Sequence, residues 1–235
     1  MTDAQHIGIV ACSAEGAALC YTTICKEGAR FFGEHAHPEV SMHTLSLANY
    51  NACIYENDWP AVAELMLTSA HKLASMGADF LICPDNTIHQ AFQYFRDRSP
   101  LPWIHIADVV ADDAVARGFS RLGLTGTKWL VESTVYPDKL TERDLNYVRP
   151  APDEIEFINK LIMGEFVKGK FEPAAVQYFQ SVINRMKGKG CDAVILGCTE
   201  IPLLMDDNNS PLPTLDSTRL LARAALRRAA SSYLT

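Results

Sequence analysis

The sequence predicts an α/β protein made of two similar Rossmann-like (flavodoxin-like) lobes, each with a parallel sheet. The first observation is a stretch that occurs twice, at Gly77 and at Gly190: glycine, one residue, aspartate, an apolar run, then a polar cluster. The second is a strand followed by a small-residue loop, near Gly8 and again near Gly123. The copies lie 113 and 115 residues apart, so we expect a duplicated half, pseudo-twofold related lobes and an active site in the cleft between them.

The length and composition agree with this organisation. A chain of 235 residues with 48% hydrophobic content can bury one large core or two small ones. We expect the first lobe to comprise residues 1–108 plus 216–235, and the second residues 109–215. The alternative is that both halves use a common helix-glycine-strand unit, which resembles itself in any α/β protein.

The charge balance and the cysteines exclude several classes of protein. With 21 basic and 28 acidic residues the net charge is −7, which disfavours a nucleic-acid partner. Apolar runs stay short of the roughly 18 residues that span a bilayer, so we expect a cytoplasmic protein without membrane contact. The seven cysteines lack paired CxxC spacing, which indicates neither a disulfide framework nor a structural zinc site.

The first half reads as alternating strands and helices. A small polar loop, Ser13 to Gly16, follows the first strand, and the second strand delivers Asn49-Tyr50-Asn51 to the edge of the sheet. Asp58 caps a helix that has Pro60 in its first turn and that Gly77 stops. The predicted strands are 6–12, 38–47, 80–83 and 103–106, and the other predicted helices are 17–26, one carrying His89, and 108–118.

The second half repeats the pattern. A strand over 121–125 is followed by a helix from Lys128 and a polar connection over 137–152, with an extended piece at 147–148. Asp153 is predicted to cap a helix through Phe166, and Glu172-Pro173 to open one that closes at Gly188. A strand over 193–196 and a helix over 218–232, packing on the first lobe, complete the chain.

The repeat singles out Asp85 and Cys198, each of which lies eight residues after its glycine. Residues just past the carboxyl ends of central parallel strands are where open α/β sheets bind ligands. A carboxylate and a thiol that face each other can remove a proton from one face of a carbon and return it to the other. The structural alternatives are that Asp85 caps the next helix and that Cys198 is an inert thiol at a strand exit.

Small polar residues follow both Asp85 and Cys198 in the sequence. Hydroxyl and amide groups at Asn86, Thr87 and Thr199 can hold a substrate carboxylate and stabilise the charge that develops on it. A thiol acts only as the thiolate, and a helix predicted to start at Thr199 would support that form of Cys198.

At these positions the chain resembles a known family. Residues 85–89, Asp-Asn-Thr-Ile-His, and 195–201, Ile-Leu-Gly-Cys-Thr-Glu-Ile, are similar to the two signatures of the cofactor-independent aspartate/glutamate racemase superfamily. In that family a cysteine precedes Asn-Thr-x-His and a second cysteine lies in Gly-Cys-Thr-Glu. The resemblance extends through residues 37–39, 77–79, 124–127 and 215–218. It implies paired α/β lobes and two cysteines that each serve one face of an amino-acid α-carbon.

The chain departs from the family pattern at its most important residue. Asp85 stands in place of the first cysteine, and Cys83 lies two residues earlier, about 6 to 7 Å deeper along the strand. Residues 11–16 lack the family's glycine pair, and residues 48–51 lack the arginine that many members use for the substrate's side-chain carboxylate. The candidate substrate-binding residues are Asn86, Thr87, Thr199, Thr127, Glu15, Tyr50 and Lys168, the last lying near the position of a frequent family lysine.

Three interpretations follow. The first is a racemase or epimerase of a small amino acid or carboxylic acid, with Cys198 and Asp85 as its acid/base groups. The second is a one-sided reaction, such as decarboxylation, lyase chemistry or cis/trans isomerisation, that depends on Cys198. The third is a catalytically silent binding protein. We expect no metal and no cofactor, because the sequence lacks a phosphate-binding glycine fingerprint and a metal-spaced His/Cys set, and we expect a homodimer.

Overall fold

The computed structural model describes residues 4–231, and their chain forms two compact units. One unit runs to Ile106 and resumes at Thr218, and the other spans residues 107–217. The predicted features at residues 1–3 and 232–235, including the end of the last predicted helix, lie outside the described residues.

The first unit is built on a four-stranded parallel sheet in the order β2-β1-β3-β4. Its two central strands, β1 and β3, are buried along their whole length, as their continuous apolar sequence predicts. The strands are β1 (Ile7–Ala11), β2 (Val40–Thr44), β3 (Phe80–Ile82) and β4 (Trp103–Ile104).

The second unit repeats this sheet, with four parallel strands in the order β6-β5-β7-β8. The central strand β1 of the first sheet corresponds to β5, and β3 to β7. The prediction of two similar α/β lobes with parallel sheets is therefore confirmed. The strands are β5 (Arg121–Gly126), β6 (Asn146–Val148), β7 (Ala193–Gly197) and β8 (Thr214–Asp216), the last of which was not predicted.

Helices connect the strands in both units. Those of the first half are α1 (Ala14–Glu27), α2 (Ala29–Phe32), α3 (Leu47–Tyr55), α4 (Trp59–Ser75), α5 (Phe92–Phe95) and α6 (Ile106–Ala116). Those of the second half are α7 (Lys128–Val131), α8 (Val135–Thr141), α9 (Pro152–Gly164), α10 (Pro173–Gly188) and α11 (Ser217–Ala230). Among the helices within residues 4–231, none has the length and apolar character needed to cross a membrane.

The two helices that precede the central strands β3 and β7 start and stop as predicted. The Asp58 carboxylate accepts the Ala61 N–H at 3.0 Å at the start of α4, and Pro173 opens α10. Gly77 and Gly190 follow these helices with φ of +90° and +86°, a backbone conformation that favours glycine.

Two predicted loops at the edge of the first sheet are wrong. Residues 13–16 are the beginning of α1, because the Ser13 hydroxyl accepts the Gly16 N–H at 3.3 Å and caps the helix. Residues 49–51 lie inside α3, where the buried Tyr50 and Ile54 side chains hold a helix in spite of its asparagines.

The second half also differs from the prediction in its connections. Part of the polar connection predicted over 137–152 is α8, which buries Val135, Tyr136 and Leu140. Ala151 rather than Asp153 occupies the N-cap of α9, and the Glu154 carboxylate accepts the Ala151 N–H at 2.7 Å.

A carboxylate clamp joins the central strands at their amino ends in both lobes. Asp79 accepts the His6 N–H at 2.7 Å, and its own N–H donates to the His6 carbonyl at 2.9 Å. In the second lobe Asp192 accepts the N–H groups of Ser120 and Arg121 at 2.7 and 3.1 Å, and the Ser120 hydroxyl at 2.8 Å. Partial burial would raise the pKa of Asp192, but these hydrogen bonds hold it below its usual value.

The clamp predicts a measurable loss of stability on Asp192→Asn. An amide cannot accept all three donors, so we expect the free energy of unfolding to fall by about 1 to 2 kcal/mol, at the low end because solvent screens a half-buried group. Since the folded-state pKa is lowered, the contribution is present at neutral pH and disappears as the pH falls below about 4. Urea denaturation at pH 7 and pH 3 measures both effects.

The exposed Asp97 provides the control, since its side chain is 84% exposed and Asp97→Asn should change the unfolding free energy by less than about 0.5 kcal/mol. Equal effects of the two substitutions would contradict the clamp.

Candidate active site

Asp85 lies just beyond the carboxyl end of β3, and its side chain reaches the start of α1. The residue is half-buried, and its Oδ2 accepts the Ser13 N–H at 3.2 Å. Ser13 is the N-cap of α1, a helix of 14 residues. The partial positive charge at a helix N-terminus stabilises a nearby anion, so this position favours the ionised carboxylate.

The residues after Asp85 form a 3-10 helix, Thr87–Ala91. Its N-cap is Asn86, one residue later than the Asp85 cap that the sequence left open, and the Asn86 side chain makes no capping hydrogen bond. Asn86 is buried and Thr87 is half-buried. Both predicted substrate-binding residues therefore accompany Asp85 at the carboxyl edge of the first sheet.

Cys83 lies beneath Asp85 and is completely buried. Its Sγ donates to the Asp85 carbonyl at 3.9 Å. Burial, together with the charge of Asp85, raises the pKa of the Cys83 thiol well above its usual value. Cys83 therefore stays a protonated thiol.

Tyr50 and Glu15 differ sharply in exposure, although both were predicted to bind substrate. Tyr50 is fully buried, and burial raises its pKa, as do Cys12, Cys83 and Asp85 to a smaller extent. Tyr50 thus belongs to the interior of the lobe close to Asp85, which leaves its hydroxyl no exposed surface for a substrate. Glu15 is exposed in the first turn of α1.

Cys198 follows the carboxyl end of β7 and is 8% exposed. Its Sγ–H donates to Glu200 Oε2 at 2.9 Å, and the Thr199 hydroxyl donates to the same oxygen at 2.8 Å. Thr199 and Glu200 are each 2% exposed. A single carboxylate oxygen of Glu200 therefore accepts both the Cys198 thiol and the Thr199 hydroxyl. Cys198 also belongs to an apolar cluster that includes Phe166 and Ile201.

The polar group beside the Cys198 thiol is the Glu200 carboxylate and not the N-terminus of a helix, which the sequence predicted at Thr199. The helix expected at residues 199–203 is wrong, because only the single 3-10 turn Ile201–Leu203 forms there and it is too short for a substantial helix dipole. The sequence contained Glu200 within the Gly-Cys-Thr-Glu stretch, but its role was not inferred. The signal in the sequence that could have revealed this role is an acidic residue two positions after the candidate thiol, in a mainly apolar segment.

Gly197 is required by the close approach of β5 to the strand that carries Cys198. A Cβ atom at position 197 would lie 2.5 Å from the Thr125 carbonyl oxygen and 2.7 Å from Leu130 Cδ2. Both distances are shorter than real Cβ contacts, and one partner is a main-chain atom that cannot rotate away. The glycine of this motif therefore sets the position of the following cysteine.

Two other predicted site residues lie on the second lobe. Thr127 follows β5, is 9% exposed and caps α7, its hydroxyl accepting the Leu130 N–H at 3.3 Å. Lys168 ends the 3-10 helix Phe166–Lys168 and is exposed, whereas the Phe166 side chain packs in the cluster that contains Cys198. Thr127 thus shares the carboxyl edge with Cys198, and Lys168 presents its charge to solvent.

Within residues 4–231, no three His, Cys, Asp or Glu side chains are arranged to hold a metal ion.

Sequence comparison identifies relatives with known names. The Broad specificity amino-acid racemase RacX of Bacillus subtilis is 22% identical over 180 residues, which is 75% of this chain and 74% of RacX. A glutamate racemase of Desulforudis audaxviator is 30% identical over 139 residues, which is 57% of this chain and 48% of that enzyme. The similarity therefore spans about half the length of this glutamate racemase.

Solved structures share the architecture over nearly the whole chain. A Yersinia pestis protein, solved as a candidate Asp/Glu racemase, has a TM-score of 0.87 and 25% identity, covering 96% of this chain and 99% of its own. An aspartate racemase homologue of Pyrococcus horikoshii has a TM-score of 0.83 and 24% identity, covering 97% and 100%.

The sequence model of one family covers almost all of the described chain. It matches residues 7–225, from β1 into α11, and includes both stretches that end in Asp85 and Cys198. The protein belongs to the Asp/Glu/hydantoin racemase family.

Proposed function

We propose that this protein is a cofactor-independent racemase or epimerase of a small amino acid or related carboxylic acid. Cys198 and Asp85 are its two acid/base groups, one from each lobe, and each serves one face of the α-carbon. Membership of a family of isomerases supports the reaction class. A homodimer remains a prediction.

The observation that carries the proposal is the hydrogen bond from the Cys198 thiol to Glu200. A thiol is a base only after it has lost its proton, and a carboxylate oxygen at 2.9 Å can take that proton. The Thr199 hydroxyl holds the same oxygen in place. An inert buried cysteine would need no such acceptor, because burial alone keeps a thiol protonated.

The reaction balances with these groups in either direction. In one direction the Asp85 carboxylate takes the α-proton, its electron pair stays on the carbon, and the Cys198 S–H gives a proton to the other face. In the reverse direction the Cys198 thiolate takes the α-proton and the protonated Asp85 returns one. Between turnovers in the same direction, Asp85 releases its proton to solvent and the Cys198 thiolate takes one up from solvent through Glu200.

The polar residues beside the pair bind the substrate in this proposal. The Asn86 amide and the hydroxyls of Thr87, Thr127 and Thr199 hold the substrate carboxylate, because such donors stabilise the charge that develops there. Lys168 and Glu15 are exposed and suit the charged groups of an amino acid. The positions of these residues support the assignment. Asn86, Thr87 and Thr199 directly follow Asp85 or Cys198 in the chain, and the others lie in elements near the carboxyl edges of the two sheets.

The names of the relatives indicate which substrates to test first. One relative is a broad-specificity amino-acid racemase and another is a glutamate racemase. We therefore propose an amino acid as the substrate class, with aspartate and glutamate as the first pair. The second candidate is a one-sided reaction on Cys198, which is favoured by the helix N-terminus that stabilises the Asp85 carboxylate and so weakens it as a base.

The experiment is proton NMR in D2O with both enantiomers of aspartate, glutamate, alanine and lysine and with small dicarboxylates. Loss of the α-proton signal without new carbon connectivity supports isomerisation. New products support lyase or decarboxylase chemistry instead, and no change with any compound favours a binding protein.

Cys198→Ser should lower turnover at least 100-fold while the melting temperature changes by only a few degrees. A hydroxyl is far less acidic than a thiol and cannot exchange a proton with Glu200 near neutral pH. Cys191→Ala in the same lobe is the control, because burial raises the pKa of that thiol and the proposal gives it no role. Retention of most of the activity by Cys198→Ser would show that the thiol is not the acid/base group.

Glu200→Gln should lower kcat more than tenfold and leave the fold intact. Glutamine has the shape of glutamate and its oxygen can accept the S–H hydrogen bond, but it cannot take the proton. Glu156→Gln, at the exposed ion pair with Lys128, is the control from the same lobe. Equal kcat values for the two variants would remove Glu200 from the reaction.

Asp85→Ala and Asp85→Cys distinguish the two candidate functions. If Asp85 is the second acid/base group, Asp85→Ala loses isomerisation and Asp85→Cys keeps part of it, because a thiol can replace the carboxylate. If the native reaction is one-sided, Asp85→Cys gains racemase activity that the native protein lacks. The D2O exchange assay measures both outcomes, and an unchanged profile in both variants would exclude Asp85 from the mechanism.

A further inference from the structure

His89 lies on the 3-10 helix after Asp85 and is buried, with 4% of its surface exposed. Both of its ring nitrogens contact main-chain groups. Nδ1 lies 3.0 Å from the Asp85 carbonyl oxygen, and Nε2 lies 3.4 Å from the Ile106 nitrogen. The ring thus joins the exit of β3 to the start of α6.

These two contacts require one tautomer. A carbonyl oxygen can only accept a hydrogen bond, so Nδ1 must carry the proton. A main-chain N–H can only donate, so Nε2 must present its lone pair to Ile106. A doubly protonated imidazolium would lose the bond to Ile106 and would leave a buried charge.

The 3-10 geometry explains why the His89 side chain, rather than its main chain, donates to the Asp85 carbonyl. In an α-helix the His89 N–H would bond the carbonyl of residue 85, but here it bonds the Asn86 carbonyl at 3.1 Å. The Cys83 thiol is a weak donor at 3.9 Å. The His89 ring therefore supplies a stronger hydrogen bond to the Asp85 main chain than the Cys83 thiol does.

The surroundings keep the ring neutral. Burial lowers the pKa of His89 to about 4, although the carbonyls of Asp85 and Asn86 oppose this effect. The titratable residues Asp85 and Cys83 adjoin the ring through the Asp85 carbonyl. The His105 ring meets His89 edge-on at 4.6 Å, and the Phe92 ring stacks at 6.4 Å. An imidazole with these neighbours has little freedom to rotate.

We propose that His89 is a positioning residue: a neutral imidazole protonated on Nδ1 that fixes the Asp85 main chain and so sets the direction of the Asp85 carboxylate. Ser13 fixes the other end of the same residue, through its N–H to Oδ2. The two bonds leave Asp85 restrained at both its carbonyl and its carboxylate. The role rests on the proposed function, in which Asp85 acts on the substrate.

Nitrogen-15 NMR of the full-length protein, labelled at its histidines, tests the tautomer without any substrate. The expected spectrum has His89 neutral, with a protonated Nδ1 and an unprotonated Nε2, from pH 8 down to pH 5. A ring protonated on Nε2, or one that titrates with the usual pKa near 6.5, overturns the proposal.

Two substitutions separate positioning from packing. In His89→Asn the amide nitrogen can occupy the place of Nδ1 and donate to Asp85. In His89→Gln the amide oxygen can replace Nε2 at Ile106, and the Asp85 carbonyl loses the hydrogen bond from residue 89. Both variants lose the ring contacts with Phe92 and His105, so the melting temperature should fall by a similar amount in both. We expect His89→Asn to keep kcat within about threefold and His89→Gln to lose more than tenfold, each with little change in KM.

The exposed His71, in α4 of the same lobe, supplies the control His71→Asn, which should match the wild type in kcat and melting temperature. Equal kcat values for His89→Asn and His89→Gln would overturn the positioning role. If the wild type turns over none of the amino acids in the panel, the proposed function fails, and the NMR measurement alone then decides whether His89 holds the Asp85 main chain.

Discussion

The carboxylate clamp at the amino ends of the central strands is the interaction on which the site depends. Asp79 binds the main chain at the start of β1, and Asp192 does the same for β5. Each clamp fixes the register of two parallel strands, Ile7 with Phe80 and Leu122 with Ala193. In a strand of fixed register every later residue has a fixed depth, so the residues that emerge at the carboxyl edge are determined at the opposite end of the sheet.

The two edges built in this way support different chemistry. In the first lobe a carboxylate meets a donor, the N–H of Ser13 at the start of α1. In the second lobe a thiol meets an acceptor, the carboxylate of Glu200. A donor stabilises the ionised form of its partner, and an acceptor holds the protonated form while offering a place for the proton. In the proposed reaction, the common frame therefore presents a base on one lobe and an acid on the other.

The sequence predicted the elements that depend on local rules and missed those that depend on packing. The apolar runs of β1, β3 and β7 and the caps of α4 and α10 act within a few residues, so they were readable. The three-residue strand β8 gains its hydrogen bonds only by pairing with β7, and Tyr50 becomes helical only because the lobe buries it. The link between Glu200 and Cys198 needs the actual path of residues 198–200, in which a single 3-10 turn replaces the expected helix.

Replacing a thiol with a carboxylate makes the proposed acid/base pair unequal. An ordinary carboxyl group loses its proton about 4 to 5 pH units below an ordinary thiol, a difference of about 6 kcal/mol. The favoured state then has Asp85 ionised and Cys198 protonated, as their hydrogen bonds also indicate. That state suits one enantiomer, since only Asp85 is ready to take a proton. The opposite state requires a proton to leave the thiol, and in the proposed reaction Glu200, which accepts the S–H hydrogen bond, is the group that takes this proton while Cys198 stays buried.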